Sequence, residues 1–92
     1  MAYNSGKRLL LNVLLNGLAD ATRRNDRSTA ERYHRRLRLT AEQIAADELV
    51  QDALKRVFLV SGLWVEAAEV DRDETTQQLL KLIDRAIGLL TS

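Results

Sequence analysis

Apolar residues recur along this chain at intervals of three and four, the repeat of a helix with one buried face. The clearest run lies between Thr40 and Val70, where Ala46, Val50, Ala53, Val57, Val60, Trp64 and Ala67 alternate between four- and three-residue steps. That spacing forms a seam that docks on other helices. Leu49, Leu54 and Ala68 widen the seam, and Asp47, Glu48, Gln51, Asp52, Lys55, Glu66 and Glu69 fall opposite it. The pattern predicts one long helix over residues 40–70. Within it Val57, Phe58, Val60, Leu63, Trp64 and Val65 are apolar nearly all round and need cover from several sides, which marks them as a candidate protein interface. Ser61-Gly62 interrupts this zone, but no proline or turn cluster follows, so the helix is read as intact.

Ahead of this element the pattern predicts a helix over residues 5–24, capped by Asn4 or Ser5. Leu9, Leu10, Leu11, Val13, Leu14, Leu15 and Leu18 cover more than half of its circumference, so it must be surrounded on several sides. Gly17 inside it costs about 1 kcal/mol relative to alanine and points to a close helix crossing. Asn25-Asp26 reads as a turn, and Ser28 with Glu31 as a capping box that opens a helix over 28–39. A fresh start follows at Thr40, with Gln43 reaching back and Leu39 stapled onto Ile44. No glycine or proline enforces that break, and an unbroken helix from Ser28 to Val70 would run for about 65 Å; a bend near Leu39 is favoured. Asp71 or Asp73 caps a last helix over 73–90, whose stripe is Leu79, Leu80, Leu82, Ile83, Ala86, Ile87, Leu89 and Leu90. Short connections imply antiparallel neighbours. The expected fold is all-α: one domain, a small helical bundle built on one long central helix with shorter antiparallel helices.

Composition supports the helical reading, since the 92 residues include no proline, only four glycines and 4% aromatics. Cysteine is absent, which removes disulfides and thiolate chemistry. Lys7 and Arg8 before the apolar run imitate a secretory signal, but Asn12 and Asn16 interrupt its core. The run is also too short to span a bilayer. A soluble, cytoplasmic protein without membrane contact is expected.

The net charge of +1 hides an uneven distribution. Residues 1–40 carry nine Lys and Arg against Asp20, Asp26 and Glu31, a balance of +6, and residues 41–92 a balance of −5. Arg23, Arg24, Arg27, Arg32, Arg35, Arg36 and Arg38 concentrate the positive charge and form a candidate polyanion-binding edge. Tyr33 is expected on the other side of its helix, so nucleic acid would be held by its backbone without base readout. Pairing of this edge with the acidic half of a second copy, or plain solvation, would account for the same charges.

Catalytic signals are weak. His34 is the only histidine and has no second ligand for a metal. Asp47, Glu48, Asp52, Glu66 and Glu69 project away from the seam, where water keeps carboxylates near their ordinary pKa. Ser28 and Thr40 serve better as caps than as nucleophiles. The stretch TAEQIAADELVQDALKRVF resembles a helix-turn-helix in flavour, yet holds no turn residue and is locally acidic. The sequence therefore points to a non-enzyme without cofactor, metal or small-molecule substrate. It is expected to be a helical interaction module that self-associates or joins a larger assembly, with a nucleic-acid-backbone-binding subunit as the alternative.

Overall fold

Four helices form where the periodicity demands them, and each turns its apolar stripe inward. In the computed structural model, residues 2–43, 48–67 and 72–91 are described, with side chains from Gly6 onward except that of Lys7. The helices are α1 (Ala2–Arg23), α2 (Arg27–Glu42), α3 (Glu48–Glu66) and α4 (Arg72–Thr91). Each packs on its neighbours in chain order and α4 closes back onto α1, while the diagonal pairs α1–α3 and α2–α4 do not approach. This is an up-and-down four-helix bundle, 44 × 20 × 17 Å overall.

No helix is a long central arm. The lengths are 22, 16, 19 and 20 residues, so the expected rod over 40–70 is replaced by separate pieces. α2 runs through Leu39 and Thr40 to Glu42, and the N–H of Gln43 donates to the Thr40 carbonyl at 3.1 Å. The bend therefore does not fall at Leu39, and Thr40 is a helix residue, not a cap. Ala46 of the seam, Asp47 opposite it and Ile44 of the expected staple lie outside the described residues, as do Ala68, Glu69, Val70 and Asp71. The physical reason for the division is packing. On a single rod the buried face of α2 (Ala30, Leu37) and that of α3 could not meet; folding α2 back onto α3 lets each cover the other. α1 also begins at Ala2, ahead of the expected cap at Asn4 or Ser5.

The α1–α2 corner is built by Asn25, which takes a left-handed backbone (φ 55°). The N–H of Asp26 donates to the Ala21 carbonyl at 2.9 Å and that of Asn25 to Thr22 at 3.1 Å, the paired bonds that close a helix C-terminus around a left-handed residue. Asp26 then caps α2, accepting from the Thr29 N–H at 3.2 Å and from the Thr29 hydroxyl at 2.8 Å. The expected capping box of Ser28 and Glu31 is thus displaced by Asp26 and Thr29. Gly62 does leave α3 unbroken.

The core is made by Leu11, Leu14, Leu15 and Leu18 of α1, Val50, Leu54, Val57 and Trp64 of α3, and Leu79, Ile83 and Leu90 of α4. From α2 only Ala30 and Leu37 are fully buried. Ser61, not Val60, is the buried member of the α3 seam, and its hydroxyl lies 3.0 Å from His34 Nδ1 across the α2–α3 contact.

At the end of the bundle that holds the α1–α2 and α3–α4 connections, Arg72 is buried. Its guanidinium sits 4.7 Å over the Trp64 ring. Nε donates to the carbonyls of Trp64 (3.1 Å) and Ala67 (3.2 Å), and Nη1 donates to Asn25 Oδ1 at 2.9 Å. The Trp64 indole N–H donates to the Thr76 hydroxyl at 2.7 Å. One side chain thereby ties the two connections together.

Candidate interaction surfaces

The residues expected at a protein interface divide by depth. Val57 and Trp64 are 0% exposed and belong to the chain's own core, because α4 and the neighbouring helices already cover their side of α3. Phe58, Val60 and Val65 are half-buried against that core. Leu63 alone is open, at 57%. Its companion Leu59, part of the same apolar run though not among the expected interface residues, is 68% exposed one turn earlier on the same face. Between α3 and α4 a groove of about 380 Å³ has Leu59, Val60 and Leu82 as its apolar lining and Arg56, Gln78 and Lys81 as its polar one.

A second apolar surface lies on α1, where Leu9 (64%), Leu10 (43%) and Val13 (57%) face outward. A signal for it was present in the chain. A helix apolar over more than half its circumference, in contact with only two neighbours, keeps apolar positions outside.

All seven arginines of the candidate polyanion edge are exposed. Arg24 is paired with Asp20, and Arg35 Nη2 donates to Glu31 Oε1 at 2.8 Å. The Asp20 hydrogen bond, and then its charge, push the Arg24 pKa upward. Arg23, Arg27, Arg32, Arg36 and Arg38 have no carboxylate within 4 Å among the described residues. Tyr33 is not on the far side of α2, as the wheel suggested. Thr29, Arg32, Tyr33 and Arg36 line one hollow on the α1 flank. The Tyr33 ring rests on Gly17, where an added Cβ would fall 2.4 Å from it, so the glycine makes the close crossing that its position in a helix announced.

His34 lies on the other flank of α2, with its ring edge-on to Phe58 at 6.2 Å. Burial, followed by the nearby charge of Arg38, lowers its pKa from the ordinary 6.5. Asp26 is held below the usual carboxylate range first by the Thr29 hydroxyl and then by the Thr29 N–H.

The carboxylates weighed for acid–base work are outward-facing: Glu48, Asp52 and Glu66 are exposed, and Asp52 accepts from Arg56 Nε at 3.1 Å. Asp47 and Glu69 fall outside the described residues. Ser28 is exposed, and Thr40 is half-buried within α2. Among the described residues no three His, Cys or acidic side chains converge as a metal site, and no helix is long and apolar enough to cross a membrane. Compared with family models, curated proteins and solved structures, the chain matches none.

Proposed function

We propose that this protein is a non-enzymatic helical interaction module that associates with copies of itself through the α3–α4 face. The observation that carries the reading is the pair Leu59 and Leu63, more than half exposed beside a core that is already closed. A helix whose only task was to line that core would carry polar side chains at both positions. The groove beside them continues the apolar surface through Val60 and Leu82.

Magnitudes limit the strength of the contact. Burying a leucine fully contributes about 1.5–3 kcal/mol, so the two leucines of each copy, already partly covered, supply about 4–7 kcal/mol between them. Lost translational and rotational freedom opposes association by about 4–15 kcal/mol. The leucines alone roughly break even, and the groove must contribute for a complex to persist at micromolar concentration. Sedimentation velocity at 5–100 micromolar, a range of roughly that order, is therefore the test. The expected result is a concentration-dependent sedimentation coefficient that Leu59→Glu with Leu63→Glu removes without loss of helicity. A monomer throughout the range would defeat the proposal.

A further inference from the structure

We infer that the outer face of α2 binds the phosphodiester backbone of nucleic acid, with Arg32 and Arg36 at the Tyr33 hollow and Arg35 beside them. These charges work against their own helix. Arg32 and Arg36 stand one turn apart, and Arg32–Arg35 and Arg35–Arg38 are three residues apart, so the stripe sets like charges side by side. Such pairs destabilise a helix, and only Glu31, through Arg35, relieves them at ion-pair distance. α2 is also the helix with the fewest fully buried side chains, so it has the least packing to offset that repulsion. Solubility does not require this arrangement. The exposed face of α4 mixes Asp73, Glu74, Lys81, Asp84 and Arg85 and is solvated without self-repulsion.

The same side chains fit phosphate. Every cation of the stripe is an arginine, whose planar fork of donors matches phosphate oxygens. The hollow of about 230 Å³ lined by Thr29, Arg32, Tyr33 and Arg36 is open to solvent, and the Tyr33 ring is seated on Gly17. Arg32 and Arg36 stand about 6 Å apart along the helix axis, so the two can hold different phosphates of one strand.

Carboxylates near the stripe are accounted for. Asp20 is held by Arg24 and Glu31 by Arg35, and Asp26 accepts two bonds from Thr29; Glu42 lines a separate hollow on the α3 flank with Arg38 and Lys55. The acidic half of a second copy fits less well as the occupant. On α3 and α4 the exposed Glu48, Asp52 and Asp84 are interleaved with Lys55, Arg56, Lys81 and Arg85, and only Glu66, Asp73 and Glu74 gather without an exposed cation between them, at one end of the bundle, so among the described residues no acidic face runs the length of the arginines.

The test is fluorescence anisotropy with a labelled mixed-sequence duplex of 20 base pairs, the protein being used as the full chain. Binding is expected at 50 mM salt and should weaken about 40-fold at 200 mM if three phosphates are neutralised. Arg32→Glu should lower affinity at least about tenfold. Its melting temperature should equal or exceed that of the wild type, because the substitution replaces repulsion with attraction towards Arg35 and Arg36. Arg36→Glu should weaken binding similarly, and Arg85→Glu on α4, with the same change in net charge, should leave it unchanged. Absence of binding at 50 mM salt, or equal weakening by Arg32→Glu and Arg85→Glu, would overturn the inference. So would a lower melting temperature for Arg32→Glu, or displacement of the duplex by polyglutamate as readily as by inorganic polyphosphate.

Discussion

Gly17 and Gly62 both lie inside helices, yet their surroundings give them opposite meanings. A Cβ at Gly17 would fall 2.4 Å from the Tyr33 ring, whereas one at Gly62 would meet nothing within 4 Å. Alanine gains about 1 kcal/mol over glycine in a helix interior, and overpacking costs about 1–3 kcal/mol. Gly62→Ala is therefore expected to raise the melting temperature and Gly17→Ala to lower it, both read by thermal circular dichroism. At His34 the sign follows from where the proton binds. Burial holds the folded-state pKa below 6.5, so on acidification the unfolded chain takes up the proton first. The stabilisation is complete above pH 6.5 and is lost as pH falls through the lower folded-state value. Denaturant titrations between pH 7.5 and 5 should show this decline, and His34→Gln should remove that part of it.

Among the elements, α2 is the least anchored, since Leu37 is the only large aliphatic side chain that it buries completely. Leu37→Ala is expected to cost about 2–5 kcal/mol, measurable by urea unfolding, and to loosen α2 before the other helices. Much of this level was legible in the chain. The stripes of α1 and α4, the Asn25-Asp26 turn, the continuity at Gly62 and the crossing at Gly17 were all carried by local spacing. A break between α2 and α3 was expected, but its place was not legible, because no glycine or proline marks it and its cause is the gain from folding two apolar faces together. The same limit explains the candidate interface. Periodicity identified Val57 and Trp64 as strongly apolar, but whether such a residue faces its own core or a partner depends on how many helices surround it. Ser61 escaped notice because a serine in a seam is a core residue only if something like His34 meets its hydroxyl, and that partner lies 27 positions away. The arginines could be found by composition, whereas which of them are paired with carboxylates required the fold.

For the molecule as a whole, Arg72 and Asn25 join two corners that are distant in sequence. Asn25→Gly would keep the left-handed turn and remove the acceptor for Arg72, and a hydrogen bond to a charged group is worth about 1.5–3 kcal/mol. The variant should therefore unfold at lower denaturant while its helix content stays unchanged below the transition. The bond also makes the two ends of the bundle unequal. At the opposite end the hydrogen bond between helices is the longer one from Arg8 Nη2 to the Leu90 carbonyl, 3.5 Å, so that end is the preferred place to come apart. Amide hydrogens near Thr22, Trp64 and Thr76 should then exchange last, and those near Leu90 and Leu39 first, so that the molecule opens like a tied sheaf loosened from its free tips.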